Sequence, residues 1–256
     1  MNETEMLDYQ RRFGGVARLY GDAALARFEA AHICVIGIGG VGSWAAEALA
    51  RSAIGQLTLI DLDHIAPSNV NRQLHALSET LGAAKTSAMA ERIHAINPRA
   101  RVIEVDDFLT EENLAELLPA GRFDHVLDCI DQLRVKVALA VHCKRHKIPL
   151  LVSGGAGGRQ DPTRIGLADL AQTSGDALLA KIRAELRRKH GYARDGKRFG
   201  IEAVYSSEPI VRPAACAPGE GGAALNCAGY GSAVAVTATF GMAMAGRALS
   251  RLANPS

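Results

Sequence analysis

Gly37-Ile38-Gly39-Gly40-Val41-Gly42 is the stretch that decides the fold. It directly follows the short apolar run Ile33–Ile36 and directly precedes the helical pattern Trp44–Ala53. A strand, a glycine turn and a helix in that order form a phosphate cradle. Glycines allow a tight turn and a close approach to the backbone, and the helix N-terminus offers free N–H donors with a favourable dipole. The spacing of Gly37, Gly39 and Gly42 fits the dinucleotide fingerprint, and Asp61 lies 24 positions after Gly37, where an acid can take ribose hydroxyls. The turn predicts a bound nucleotide without choosing between a dinucleotide and a triphosphate.

Outward from the turn, apolar runs alternate with helical patterns. Leu57–Asp61 reads as a second strand, Ala83–Ile96 as a helix stopped by Asn97-Pro98, and Arg101–Val105 as a third strand. Glu111–Leu118 is read as a helix, His125–Cys129 as a strand, Leu133–His146 as a helix and Pro149–Ser153 as a fifth strand. This alternation predicts an α/β fold: a Rossmann-like, doubly wound, mostly parallel sheet with helices on both faces. After Gly154 the pattern changes. The glycine-rich Ser153–Gly158 leads to an outlying strand at Arg164–Leu170, a basic amphipathic helix at 175–190, a strand at Ile201–Ser206 and a closing helix near 230–251. Residues 207–229, rich in Pro, Gly and Cys, read as a long mobile loop. The expectation is one domain over 1–256, with a nucleotide-binding half at 1–155 and a C-terminal extension at 156–256 for substrate binding and dimerisation.

The residues after the second strand separate the two nucleotide readings. Asp61-Leu62-Asp63 is followed by Ser68-Asn69-Val70-Asn71-Arg72-Gln73. Hydride transfer has no need for Asn, Arg and Gln crowded at the mouth of a strand, whereas a triphosphate site does. Arg72 carries a forked donor set for phosphate, Asn69 and Gln73 can fix oxygens without adding charge, and Lys85 opens the next helix. Asp131 follows the fourth strand at its carboxyl end, where an acid can hold Mg²⁺. Each residue alone reads as a surface polar group. Together at the carboxyl ends of adjacent strands they predict a site, with Asp131, Arg72, Lys85 and Asn69 in the chemistry, Gly37, Gly39, Gly40, Gly42, Asp61, Asp63 and Gln73 around the nucleotide, and Asp131 on the metal.

With these motifs the chain resembles the ubiquitin-activating-enzyme-like superfamily, which includes the ThiF, MoeB and HesA adenylating enzymes. The resemblance rests on Gly37–Ser43, Asp61-Leu62-Asp63, Ser68–Gln73, Lys85 and Asp131. It implies a homodimer, ATP with Mg²⁺, and attack of a carboxylate on the α-phosphate with loss of pyrophosphate. Arg12-Phe13-Gly14-Gly15, Trp44–Leu49, Gly154–Gly158 and Val236–Gly241 are similar to the tRNA threonylcarbamoyladenosine dehydratase branch, the CsdL-like group. That branch closes a modified adenosine beside the tRNA anticodon into a cyclic hydantoin. It implies a tRNA substrate and a cysteine-desulfurase or sulfur-acceptor system as candidate partner. ThiF and MoeB carry two C-x-x-C pairs for structural zinc and this chain has none, which predicts no zinc and argues against activation of a ubiquitin-like sulfur carrier. The position from which much of the family sends an arginine across the dimer is Gly15 here, leaving Arg12 or Arg18 as substitutes.

Bulk features agree with this frame. The 256 residues are 48% hydrophobic and 22% charged, enough for a full core. Residues 1–150 carry 16 Lys/Arg against 19 Asp/Glu, and residues 151–256 carry 13 against 8, so the excess cation lies in the second half. It concentrates at 181–198, where Lys181, Arg183, Arg187, Arg188, Lys189, Arg194, Lys197 and Arg198 face Glu185 and Asp195; this segment is read either as a solvated face or as a tRNA dock. Five unpaired-looking cysteines and a polar, acidic opening at Met1–Tyr9 predict a cytoplasmic protein. Cys216 and Cys227 flank a Gly-rich loop, but an internal nitrogen can attack an adenylate without a thioester. The uncharged stretch Ala223–Gly246 is rich in small residues and reads as a helix packed on protein rather than a membrane span. His64 reads as a surface histidine.

Overall fold

In the computed structural model, residues 3–211 and 230–255 are described. The first strand, β1 (His32–Ile36), enters the glycine turn, and α3 (Gly42–Arg51) leaves it. Two helices precede them: α1 (Glu3–Tyr20) and α2 (Asp22–Ala30). Strand–helix alternation does not predict these two, since it has no place for elements before its first strand. There follow β2 (Gln56–Ile60), α4 (Lys85–Ile96), β3 (Arg101–Val105), the single turn α5 (Leu114–Leu117), β4 (His125–Asp128), α6 (Leu133–His146) and β5 (Leu150–Ser153). The second half adds β6 (Ile165–Asp169), α7 (Ala177–Lys189), β7 (Glu202–Ser206) and α8 (Val234–Ala253).

All seven strands form one sheet, in the order β3-β2-β1-β4-β5-β7-β6. Every pair is parallel except β6 with β7. The order reverses between β1 and β4, which opens a crevice at their carboxyl ends. Buried strands alternate their side chains between two cores, following the period of two in a pleated strand. Ile33, Val35, Leu57 and Leu59 pack under α2, α3, α4 and α8. Cys34, Ile36, Ile60 and Val126 pack under α5, α6 and α7.

The second half is therefore part of the sheet, not an appendage. Its last helix also braces the first half. Gly241 of α8 crosses α3 so closely that a Cβ there would run into Val41 O and Ala45 N. Arg247 and Arg251 of α8 pair with Glu202 of β7. Among the described residues no helix is long and apolar enough to cross a membrane. The expected helix at Glu111–Leu118 shrinks to one turn because Asn113 turns its side chain back, accepting the Thr110 N–H and donating to Phe108 O. The loop read over 207–229 has described residues only to Val211, and Cys216 and Cys227 lie outside them.

Candidate active site

The glycine turn is built into the crevice wall. Gly37 has φ of +84°, and a Cβ there would meet Ile130 Cγ2 at 2.9 Å and the Cys129 carbonyl carbon at 3.1 Å. Only glycine satisfies both demands. Gly42 must also lack a side chain, because its Cα faces Gly37 O directly. The turn after β1 is thus pressed against the turn after β4, and Asp131 follows Ile130 immediately. Its residue is exposed at the carboxyl end of β4.

Asp61 follows β2 directly, where the sequence reading puts it. It is buried, its Oδ2 accepting the Ile38 N–H at 2.6 Å and its Oδ1 the Asp63 N–H at 2.9 Å. The carboxylate ties β2 to the glycine turn. Burial pushes its pKa up, with Lys85 and the two N–H donors pulling it back. Lys85 is itself buried. Its Nζ sits 2.7 Å from Asp63 Oδ2 and 3.9 Å from Asp61 Oδ1. The ammonium is held between two acids beside the glycine turn.

The segment between β2 and α4 lies across the glycine turn. Arg72 lays its aliphatic stem over Gly40, with Cγ 3.2 Å from where a Cβ would stand. Its Nη1 donates to Ser68 O and Asn71 Oδ1, each at 2.9 Å. Asn69 Oδ1 accepts the Ala66 N–H at 3.0 Å and so shapes its own turn. Gln73 is buried beside Gly39, and its Oε1 has no hydrogen-bond partner among the described residues. His75, two residues on, is buried with both ring nitrogens unpartnered among the described residues. Burial and the nearby Lys85 and Arg92 charges push its pKa down to about 4, so the ring is neutral.

Three residues missed in the sequence hold this segment in place. Trp44 Nε1 donates to Arg72 O at 3.0 Å. Ser43 donates to Gly39 O at 2.7 Å and accepts the Leu74 N–H at 3.3 Å. Asn71 Nδ2 donates to Ser232 O at 2.8 Å, which joins the segment to the entry of α8. Tryptophan and serine in the first turn of the helix after a glycine turn were the available signal. The structure gathers Arg72, Gln73, Lys85, Asp61 and Asp63 around the glycine turn, with Asp131 on the opposite lip. His64 is exposed.

The next strand outward carries a second glycine loop. Asp176 is buried, and its Oδ2 accepts the Gly155 N–H at 2.9 Å and faces Arg159 Nη2 at 3.1 Å. Its Oδ1 accepts the Leu179 N–H at 2.9 Å and so caps α7. Glu208 accepts the Gln160 and Asp161 N–H groups. Gly154–Gly158 is thereby fixed from beneath, at the end of β5, the strand beside β4. Arg12 and Arg18 both turn toward their own chain. Arg12 pairs with Asp8 and donates to Ala95 O and Ile96 O at the end of α4, while Arg18 folds along Gly14.

This geometry suits a nucleoside triphosphate. Backbone N–H groups of the glycine turn and two cations suit phosphate oxygens, and the unpartnered Gln73 Oε1 suits a donor such as a sugar hydroxyl or a base N–H. Among the described residues there is no cluster of three His, Cys, Asp or Glu side chains. An Asp at the crevice lip still fits Mg²⁺, which binds through one or two carboxylates together with substrate phosphates and water.

The ThiF family profile matches residues 9–255. A Haemophilus influenzae tRNA threonylcarbamoyladenosine dehydratase is 49% identical over 247 residues, covering 96% of this chain and 94% of its own. The Escherichia coli enzyme of that name, solved in complex with ATP, superposes with a TM-score of 0.87 at 48% identity, covering 96% of this chain and 95% of that one. Solved with AMP, it superposes with a TM-score of 0.86 over the same shares.

Proposed function

The chain belongs to the ThiF family, and from that membership we propose that it is an ATP-dependent dehydratase of N6-threonylcarbamoyladenosine in tRNA. The observation that carries this reading is the match over 96% of the chain to a dehydratase solved with ATP. The crevice described above supplies the chemistry that such an enzyme needs.

The glycine turn and Gln73 receive the nucleotide, and Arg72 and Lys85 take phosphate oxygens. Asp131 would hold Mg²⁺, which would offset phosphate charge. A carboxylate oxygen of the threonyl group attacks the α-phosphorus, the bond to the bridging oxygen breaks, and pyrophosphate leaves. A carbamoyl nitrogen then attacks the activated acyl carbon and loses its proton. AMP departs with the former carboxylate oxygen, and the ring closes with net loss of water. Cations fixed in advance at the phosphates lower the barrier because they need not reorganise as charge develops.

The acid reaches the α-phosphate over β4 and β5, so Gly154–Gly158 forms the substrate wall. The second half of the chain, with the basic 181–198 segment, receives the tRNA. The working form is a homodimer. The experiment is incubation of the protein with ATP, Mg²⁺ and tRNA carrying threonylcarbamoyladenosine, followed by nucleoside mass spectrometry. The expected product is lighter than the starting nucleoside by one water. An unchanged nucleoside with ATP consumed on a protein C-terminus instead favours carrier activation.

A further inference from the structure

The most completely buried charge pair in the described chain stands directly behind Asp131. Lys136 in the first turns of α6 and Asp128 at the end of β4 both have fully buried side chains, with Nζ 2.8 Å from Oδ1. The ammonium also donates to Ile130 O at 2.9 Å and reaches Asp128 O at 3.4 Å. Asp128 Oδ1 in turn accepts the Ile130 N–H at 3.3 Å. One lysine therefore gathers the inward-facing oxygens of the Asp128–Ile130 turn, the turn that ends in Asp131 and presses on Gly37.

Folding energetics does not account for this arrangement. Removing two charges from water is costly, and apolar residues of similar volume usually serve as well or better in a core. What the pair provides is geometry. The strand ends at Asp128, the helix starts at Leu133, and the carbonyls between them lack ladder partners. Without the ammonium the half-buried Ile130 carbonyl would lose its donor, and the turn would be free to move.

We propose that Lys136 and Asp128 are positioning residues that fix Asp131 for its metal ion. This inference rests on the reading of Asp131 as the metal-holding acid. Lys136 touches neither nucleotide nor metal and acts through the Ile130 carbonyl.

The test uses the full-length protein and Mn²⁺ as a probe, with ATP affinity measured by calorimetry with and without metal and bound Mn²⁺ counted by electron paramagnetic resonance. In Lys136→Met, Mn²⁺ affinity in the ATP complex should fall at least tenfold, while metal-free ATP affinity changes less than twofold. Lys136→Arg should restore most of the loss, since it keeps a charged donor. The double variant Lys136→Met/Asp131→Asn should bind Mn²⁺ no more weakly than Asp131→Asn alone, because groups acting through one another are not additive. If Lys136→Met does not fold, Asp128→Asn takes its place, keeping volume and an acceptor oxygen while unpairing the lysine. Mn²⁺ affinity kept at the wild-type level, or strictly additive losses in the double variant, overturns the inference alone. A wild type whose ATP affinity gains nothing from Mn²⁺ overturns both the inference and the reading of Asp131.

Discussion

Asp61 Oδ2 accepts the Ile38 N–H at 2.6 Å, and this bond joins the end of β2 to the glycine turn after β1. The acid that the sequence offers as a ribose ligand is thus also the strut of the phosphate cradle. Asp61→Ala should strand the Ile38 and Asp63 N–H groups and leave Lys85 with one partner. The expected loss is about 1–3 kcal/mol for each buried donor left unsatisfied, with ATP affinity falling at the same time. Urea unfolding and calorimetry check both, and a variant with wild-type stability would mean that the strut carries no load.

Asp131→Asn and Arg72→Ala should each lower turnover by about a hundredfold or more, the usual cost of removing a group that meets charge developing in the transition state. Both residues lie on loops, so unfolding free energy should change by about 1 kcal/mol at most. Near-normal activity in either variant would remove that residue from the site.

Gly154→Ala tests the second glycine loop. An added Cβ would strike Asp176 Oδ2, the atom that holds Gly155 and Arg159. ATP affinity should stay at the wild-type level while turnover on tRNA drops, because the distortion falls on the substrate wall and not on the glycine turn. Equal loss of ATP affinity would show that the two loops are not separable.

The basic segment needs a different variant from the one its charge count suggests. Arg187 donates to Ala193 O and lies over the Phe199 ring, and Arg183 bonds to Thr173, so both serve their own chain. Lys181, Arg188 and Lys189 are exposed, the last two paired with Glu185 at the surface. Neutralising Lys181, Arg188 and Lys189 should weaken tRNA binding. The slope of log K against log salt should fall by roughly 1 for each tRNA phosphate that no longer meets a cation. ATP affinity is the control. Unaltered tRNA affinity and slope would return the segment to a solvated face.

Acid should destabilise the fold through three histidines, His32 and His75 buried and His125 half-buried. Burial pushes His32, His75 and His125 each down to about 4. The folded state keeps them neutral, whereas the unfolded chain takes up protons near its ordinary histidine pKa of about 6.5. Their contribution is complete above that pH and is lost as pH falls from there toward 4, with a slope of up to about 1.4 kcal/mol per pH unit for each histidine. Asp61 and Asp128, raised by burial, take up their protons first in the folded state and so work against this trend. Denaturant unfolding between about pH 7.5 and 5.5, compared between the wild type and a His32→Gln/His75→Gln/His125→Gln variant, isolates the histidine contribution, and the same slope in both would contradict their burial as neutral rings.

The alternating core of the fold is legible in the sequence because strand, glycine turn and helix leave local marks at Ile33–Ala53. The same locality draws attention to Arg72 in the segment after β2, Lys85 at the start of α4 and Asp131 in the turn after β4. It does not mark α1 and α2, because both precede the first strand and lie outside the strand–helix alternation. Nor does it separate Asp61 as strut from Asp61 as ligand, since that depends on a bond between residues 23 positions apart. Asp128 and Lys136 are readable in principle. Each is a charge inside an apolar run, at Val126–Cys129 and Val135–Val137, and a charge there must have a partner. Arg159, Asp176 and Glu208 come together only through the crossover from β5 to β7, which no local pattern encodes.

Attack of the substrate carboxylate on the α-phosphorus of ATP is the step on which the proposed function stands. The direct measurement labels the threonyl carboxylate of the tRNA nucleoside with oxygen-18 and follows the label by mass spectrometry through one round of reaction. The proposed step predicts one labelled oxygen in AMP, none in pyrophosphate, and a cyclised nucleoside that keeps the other. Label in pyrophosphate or inorganic phosphate, or AMP free of label beside a cyclised product, would contradict it.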